Sequence, residues 1–150
     1  MIRKARLTDI HAIHALIKPF AAEEIMLPLS VGEVTERLRD FLVAEEEGRL
    51  VGTVAVHVTW GTLVEVRSLA VDRSHRGRGL GRQLVEAAHA EARELGAEDV
   101  FVLTYIPEFF ESFGYTRISR DELPHKVWLD CVKCPKFPDC GEVALKRPLS

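Results

Sequence analysis

The sequence predicts a mixed α/β fold, in which one domain over residues 1–150 holds a sheet of parallel and antiparallel strands flanked by helices. Successive β-prone segments separated by glycine-containing turns predict an antiparallel meander. A helical repeat over residues 79–95 lies between the last of these segments, 62–72, and a buried strand at Asp99–Thr104, which predicts a parallel crossover. The hydrophobic fraction of 47% and the charged fraction of 29% are typical of a folded globular chain.

The N-terminal part predicts a short edge strand and a first helix. Residues 2–6 have the length and alternation of an edge strand, and Thr8 or Asp9 offers a side-chain oxygen to cap the helix that follows. Apolar residues then recur at helical spacing as far as Phe20. Since a proline disfavours regular helix in the residue before it, we expect the helix to become irregular at Pro19.

A second helix and a hairpin come next. Ser30 is placed to cap a helix over residues 32–41. The two helices could form a wall over an active site, or they could simply cover a sheet edge. Residues 42–46 and 50–60 flank a glycine-containing loop and predict the hairpin. Gly52 in the second strand marks a bulge or a close approach, or else has no special role.

The C-terminal part is predicted to be less regular. Pro107 begins a short helix that ends at Gly114. A strand is expected at 115–118 and a last short strand at 142–145. No internal repeat or low-complexity linker divides the chain, which favours a single domain.

Charge is distributed unevenly along the chain. The net charge of −3 argues against a nucleic-acid-binding protein. A basic segment in this acidic chain favours a compact anionic ligand. No apolar run approaches the ~20 residues that span a bilayer, so we expect a cytoplasmic protein without membrane contact. The arginines of the basic segment are Arg73, Arg76, Arg78 and Arg82.

The segment Arg76-Gly77-Arg78-Gly79-Leu80-Gly81, followed by Arg82, has the features of a phosphate-binding turn. Its arginines supply charge, its glycines allow close approach of the backbone, and N–H groups at a helix start lack a helical partner. No lysine follows the glycines as in a nucleoside-triphosphate loop, and the preceding meander is unlike the start of a Rossmann unit. The sequence therefore predicts a pyrophosphate site of another class.

The same residues resemble the acetyl-CoA turn of the GNAT acetyltransferases. The family signature R/Q-x-x-G-x-G/A is matched by Arg76, Gly79 and Gly81. The strand end Leu69-Ala70-Val71 precedes the turn, and the later segment FFESFGY, residues 109–115, is similar to the family's FYEKLGF-type segment. Together these features cover roughly residues 2–118.

This resemblance implies a GNAT fold, in which the central parallel strands of a mixed sheet splay apart and leave main-chain groups free. It implies acetyl-CoA as cosubstrate, with main-chain groups of Leu69, Ala70 and Val71 on the pantetheine arm. The turn from Arg76 to Arg82 would hold the pyrophosphate. Phe110 is also implied to contact the cofactor.

Transfer of an acetyl group to an amine needs a base. A peptide α-amino group has a pKa of roughly 7.7–8.0, so most of it is protonated at neutral pH and cannot attack a thioester. A general base is worth roughly 10²–10⁴ in rate. Glu65 is the candidate, since it lies on the strand before the turn, where many family members place a glutamate that acts directly or through water. The alternative is an exposed strand carboxylate without a catalytic role.

Arg67 is the candidate for recognising the acceptor. It lies two residues from Glu65 and therefore on the same strand face. That arrangement suits an amino acid, with Glu65 near the amine and Arg67 on a carboxylate. A structural salt bridge is the alternative.

Several segments are also similar to N-acetylglutamate synthases of the single-domain type, in which acetyl-CoA donates to the α-amino group of glutamate. This similarity implies substrate contacts at Leu27 and Thr104. The similar segments are residues 26–28, 65–71, 101–104 and 123–126.

Two residues depart from these patterns. Leu29 lies where related loops often have an arginine that could meet a substrate carboxylate. Phe110 replaces the tyrosine that many members use to protonate the leaving thiolate. Tyr105 could supply that proton instead, or it could be a packing residue. The thiolate could also leave without an acid, because thiol pKa values lie at roughly 8.5.

The cysteines lie near the C-terminus and allow three interpretations. Cys131, Cys134 and Cys140, with His125 upstream, offer soft ligands for zinc, although zinc sites usually show two clearer cysteine pairs. A disulfide and free thiols are the alternatives. The predicted transferase itself requires no metal.

The sequence thus predicts an acetyl-CoA-dependent N-acetyltransferase acting on a small-molecule amine, with the α-amino group of L-glutamate as the expected acceptor. One alternative is another amine, such as a polyamine, an aminoglycoside or a protein N-terminus. A second is a regulatory module that binds acyl-CoA without catalysis. A homodimer could form through an exposed late strand.

Overall fold

The structure is a computed structural model that describes residues 1–23, 26, 28–124, 127 and 142–149. Short 3-10 turns at Leu7–Asp9, Leu38–Asp40, Arg73–His75 and Arg120–Glu122 connect some of its elements. In chain order, the helices and strands of the described residues are β1 (Ile2–Lys4), α1 (Ile10–Ala22), α2 (Val31–Glu36), β2 (Phe41–Glu46), β3 (Arg49–Trp60), β4 (Leu63–Val71), α3 (Leu80–Glu94), β5 (Asp99–Thr104), α4 (Pro107–Glu111), β6 (Thr116–Arg117) and β7 (Val143–Pro148).

The strands form one seven-stranded sheet in the order β1-β2-β3-β4-β5-β7-β6. β2 is antiparallel to both β1 and β3, and β7 is antiparallel to both β5 and β6. β4 and β5, which α3 connects, are parallel, with Leu63 opposite Asp99 and Glu65 opposite Phe101. The predicted mixed α/β sheet with a parallel crossover is therefore confirmed.

Two compact units can be distinguished within the chain. The first comprises Met1–Val56 and Val66–Glu91, and the second comprises His57–Glu65 and Ala92–Ser150. Apolar side chains form a core in each. In the first unit they are Ile13, Ile17, Leu29, Val34, Phe41, Val43 and Ala55, and in the second Phe101, Leu123, Val127 and Ala144.

The second helix begins as predicted but ends earlier. Ser30 Oγ accepts a hydrogen bond from Glu33 N–H at 3.1 Å, and Glu33 Oε1 accepts one from Ser30 N–H at 3.1 Å. This reciprocal cap starts α2. The predicted helical extension to Phe41 is wrong, because Phe41 begins β2 opposite Ala55 and buries its ring in the core.

Two predictions about the first helix are also wrong. The Asp9 carboxylate does not cap α1; instead it accepts hydrogen bonds from Arg6 N–H at 2.7 Å and from the Arg3 guanidinium at 2.8 and 3.1 Å. Asp9 therefore closes the 3-10 turn before the helix. Pro19 does not disrupt α1, which continues to Ala22. Pro19 and Ala15 are both exposed, so water can satisfy the carbonyl that the proline leaves without a donor.

Gly52 marks a close approach between β3 and α3. A Cβ atom at this position would lie 2.9 Å from Leu84 Cδ1 and 3.4 Å from the Ala70 carbonyl oxygen. The strand pairing also shifts register between Ala44 and Glu45, next to the partner of Gly52. The absence of a side chain at Gly52 therefore leaves room for the Leu84 side chain of α3 against β3.

The late elements differ from the prediction in length. α4 ends at Glu111 rather than Gly114, and β6 is limited to Thr116–Arg117. β7 runs from Val143 to Pro148 because it pairs along the whole of β5.

Within the described ranges, no helix combines the length and apolar character that a membrane span requires.

Candidate active site

Asp72 fixes the start of the turn that follows β4. Its Oδ1 accepts hydrogen bonds from Ser74 N–H at 3.1 Å and Ser74 Oγ at 3.0 Å, and its Oδ2 accepts one from Arg49 Nη2 at 2.7 Å. The hydrogen bonds from Ser74 hold the pKa of Asp72 below its usual value. Asp72 N–H also donates to the Val51 carbonyl at 2.8 Å. The turn is therefore tied to β3 through both main chain and side chain.

His75 gives the turn a second attachment to the same hairpin. Its Nε2 lies 3.1 Å from Glu46 Oε2, and its Nδ1 lies 2.9 Å from Ser74 Oγ. Glu46 and Arg49 are cross-strand partners at the end of β2 and β3. The hairpin end thus holds the 3-10 turn at both Asp72 and His75.

The glycines of the turn are required by backbone conformation. Gly77 and Gly79 have φ values of 82° and 75°, and no atom lies within 4 Å of a Cβ built at either. Space is therefore available for a side chain, but an L-residue would be strained. Left-handed residues in a turn direct neighbouring N–H groups toward one concave surface that favours anions.

α3 begins directly after these glycines. Gln83 N–H donates to the Gly79 carbonyl at 3.1 Å. The N–H groups at the start of a helix precede its first intrahelical hydrogen bond, and here they include those of Leu80 and Gly81. They lie at the positive end of the helix dipole, which favours a negatively charged ligand.

The arginines surround this helix start. Arg76, Arg78 and Arg82 are exposed. The guanidinium groups of Arg73 and Arg76 lie over the ring of Phe20, with Cζ atoms 5.4 and 5.6 Å from the ring centroid, and Arg73 also forms an ion pair with Glu23. The contact of Phe20 with these arginines is not predictable from the sequence, because Phe20 has the same helical spacing as the other apolar residues of α1.

Strand β4 holds the two predicted acceptor residues. Glu65 is only 9% exposed, so it is a buried strand carboxylate and not an exposed one. Arg67 is half-buried, and its Nη2 atom is shielded from solvent. Ser68 then has a φ of 56°, which interrupts the extended backbone of β4. Leu69, Ala70 and Val71 follow this break and lead into the turn.

The remaining predicted residues of the described chain lie at the end of β5 and in α4. Thr104 Oγ1 accepts a hydrogen bond from Ile106 N–H at 3.0 Å and so shapes the turn between these elements. Tyr105 is half-buried. The ring of Phe110 is buried in edge-to-face contact with Phe109 and Tyr115, at centroid distances of 5.2 and 5.5 Å.

Tyr115, the last residue of the FFESFGY segment, is a buried phenol. It is 3% exposed, and burial raises the pKa of its hydroxyl above the usual value. A phenol with the usual pKa of roughly 10 is already protonated at neutral pH, and burial makes its deprotonation still less favourable.

The structure divides the described site residues between the two units. Glu65, Thr104, Tyr105 and Phe110 belong to the second unit. Arg67, residues 69–71 and the whole turn from Arg76 to Arg82 belong to the first. The predicted substrate residue Leu27 and the candidate zinc ligands His125, Cys131, Cys134 and Cys140 lie outside the described residues. Across 1–23, 28–124 and the other described positions, no group of three or more His, Cys, Asp or Glu residues is arranged to hold a metal.

Comparison with known proteins gives a consistent result. A family model described as an acetyltransferase (GNAT) domain matches residues 37–117. An uncharacterized N-acetyltransferase of Chlorobaculum tepidum is 43% identical over 148 residues, covering 99% of this chain and 96% of that protein. An amino-acid acetyltransferase of Mycobacterium tuberculosis is 38% identical over 131 residues, covering 85% of this chain and 75% of that protein.

A solved structure is similar over the full length of the chain. It is N-acetylglutamate synthase from Neisseria gonorrhoeae complexed with coenzyme A and N-acetyl-glutamate, with a TM-score of 0.90 and 27% sequence identity. The match covers 100% of this chain and 35% of the synthase chain. The present chain therefore corresponds to about a third of that larger protein.

Proposed function

This chain belongs to the GNAT family of acetyltransferases, and we propose that it transfers the acetyl group of acetyl-CoA to the α-amino group of L-glutamate. The similarity to an amino-acid acetyltransferase supports an amino acid as acceptor. The synthase with a similar structure holds coenzyme A and N-acetyl-glutamate, the product expected of this reaction.

The observation that carries the proposal is the turn between β4 and α3. Its left-handed glycines, exposed arginines and first helical N–H groups form an anion site in which several groups can share one pyrophosphate. Residues 69–71 lead directly into that turn and supply main-chain donors and acceptors for the pantetheine arm. Acetyl-CoA has both parts in the same order.

Glu65 is the proposed general base. It accepts a proton from the glutamate ammonium group, directly or through a water molecule, so that the nitrogen gains a free electron pair. The nitrogen then forms a bond to the thioester carbonyl carbon, and the carbon–sulfur bond breaks. The thiolate leaves as such or takes a proton from Tyr105, and the nitrogen, which carries one surplus proton after its attack, releases that proton to the thiolate, to the Tyr105 phenolate or to water.

Arg67 is the proposed partner of a substrate carboxylate. A guanidinium group can donate two parallel hydrogen bonds to one carboxylate, which selects an amino acid over a simple amine. Leu29 cannot contribute such a contact, because its side chain is 8% exposed and packs in the core of the first unit. In related loops an arginine could meet the substrate carboxylate. In this chain we assign that contact to Arg67 on β4.

An acceptor screen monitored by release of free CoA tests the proposal. L-Glutamate should give the highest kcat/KM, and 2-oxoglutarate, which lacks the amine, should release no CoA. L-Glutamine and D-glutamate are matched controls for the side-chain carboxylate and for the configuration. A preference for a polyamine, an aminoglycoside or a peptide N-terminus would contradict the assignment to glutamate. Acetyl-CoA binding without turnover on any amine would favour the regulatory module.

A further inference from the structure

Phe20 connects the last turn of α1 to residues 72–82 between β4 and α3, which we call the donor turn. It is 7% exposed, and two guanidinium groups lie over its ring at 5.4 and 5.6 Å. Both distances are within the ~6 Å over which a cation is attracted to an aromatic face. Arg73 and Arg76 reach the same ring because residues three apart eclipse each other in a 3-10 turn.

The two arginines differ in whether a carboxylate neutralises their charge. Arg73 is paired with the Glu23 carboxylate, which neutralises it. For Arg76, no carboxylate of the described residues lies within the 4.0 Å of an ion pair, and its guanidinium contacts the Phe20 ring instead. An aromatic face holds a guanidinium without neutralising it, and the N–H donors along the guanidinium edge remain available to an anion.

We propose that Phe20 is a positioning residue for the donor site, which holds the Arg76 side chain in place to bind the pyrophosphate of acetyl-CoA. The proposal rests on the proposed function, because it requires that the turn holds this cofactor. Neutralisation of Arg73 by Glu23 lowers the repulsion between the two guanidinium groups at one ring. The ring restricts the long Arg76 side chain before the cofactor binds. Less side-chain conformational entropy is therefore lost on binding.

Phe20→Leu tests this role, since it keeps an apolar side chain and removes the ring. We expect the Kd of acetyl-CoA, measured by calorimetry without acceptor, and its KM to rise about 3- to 20-fold. The kcat at saturating acetyl-CoA should stay within about twofold, because Phe20 takes no part in the acetyl transfer. Phe20→Tyr, which keeps an aromatic face, should restore wild-type affinity.

A double-mutant cycle separates positioning from general packing. In an Arg76→Ala background, Phe20→Leu should cause little further loss of affinity, because the partner of the ring is already absent. An equal loss in both backgrounds would overturn the proposal, as would an unchanged Kd in folded Phe20→Leu. Phe20→Met, which fills more of the volume, replaces Phe20→Leu in the cycle if the latter unfolds.

A measurement on the wild-type protein needs no substitution in the core. The side-chain protons of Arg76 should show an upfield ring-current shift in NMR spectra, and this shift should persist with acetyl-CoA bound. Its absence in either state would overturn the proposal. The two hypotheses fail separately: acetyl-CoA binding without turnover removes the proposed function alone, whereas normal turnover with unchanged Phe20→Leu affinity removes only the role of Phe20.

Discussion

The proposed donor turn, residues 72–82, and the proposed acceptor pair, Glu65 and Arg67, differ in the number of groups that each would use. The turn is largely exposed and combines several arginines with main-chain N–H groups. The acceptor pair consists of single side chains on a strand, one buried and one half-buried. Where several groups bind one anion, the removal of any one of them weakens the affinity for that anion only moderately. Where one side chain carries a step, its loss stops that step.

The largest effect is expected from Glu65→Gln. The amide cannot accept the proton of the ammonium group, so kcat should fall by about 10²–10⁴. The Kd of acetyl-CoA should be unchanged, since the donor turn lies elsewhere on the chain. Steady-state CoA release and calorimetry measure the two quantities. Glu86→Gln, an exposed acid on α3, is the matched control and should retain activity. Full activity of Glu65→Gln would remove Glu65 as the base.

Arg67→Ala should have the next largest effect, confined to the acceptor. Loss of charged hydrogen bonds to a carboxylate should raise the KM for glutamate about 10- to 100-fold. The KM for acetyl-CoA should change little. Arg67→Lys should restore part of the loss, because an ammonium group keeps the charge but not the paired donors. An exposed arginine, Arg39, provides the alanine control. An unchanged KM for glutamate would disprove the carboxylate contact.

Gly79→Ala should produce a moderate effect on the donor side. An alanine at a φ of 75° costs roughly 1–2 kcal/mol of conformational free energy. The turn is expected to relax away from its anion-binding conformation, with acetyl-CoA Kd rising about tenfold for a cost of that size. Gly48→Ala, at a φ of 76° in the β2–β3 turn, carries the same backbone penalty and should lower Tm with acetyl-CoA affinity retained. Equal affinities for the two variants would show that the donor turn tolerates the change.

Asp72→Asn should give the smallest effect, visible mainly in the pH dependence of stability. The pKa of Asp72 is lower in the folded state than in the unfolded state. Its contribution to stability is therefore complete at pH values above the pKa of the unfolded state, roughly 3.9. The contribution is lost as the pH falls through the lower pKa of the folded state. We expect Tm of Asp72→Asn to be about 2–6 °C below wild type at pH 7. Thermal unfolding followed by circular dichroism should show this difference shrinking below pH 4. A difference that is constant with pH would mean that the carboxylate charge is unimportant.

The same contrast explains how much of the molecule the sequence could predict. Gly77, Gly79 and the α3 repeat are local signals, and so is the Ser30 cap, so the turn and its helix were predicted within a residue or two. The end of α2 was not, because Phe41 fits a helical repeat and a strand equally well until its partner Ala55 is known. The position of β7 between β5 and β6 likewise depends on pairing between distant segments.

The candidate site shows the same limit. Arginines and glycines of the turn lie together in the sequence, and the donor chemistry follows from their order. Phe20 is held against Arg76 only by folding, and no periodicity or spacing distinguishes it from the other apolar residues of α1. The contact between Glu46 and His75 and the hydrogen bond from Arg49 to Asp72 cannot be predicted either, because they form only when the hairpin lies beside the turn.

The contact between Gly52 and Leu84 is a place where substitutions could change cofactor affinity without altering a predicted ligand-contacting residue. Substitution of Gly52 by alanine would place a methyl group 2.9 Å from Leu84 Cδ1 and would therefore displace the end of that side chain on α3. Truncation of Leu84 to valine would make room for that methyl group. Paired changes at these two positions would therefore alter the packing of α3 against β3 in small steps. Cofactor affinity could then be selected in a library that leaves every predicted ligand-contacting residue intact.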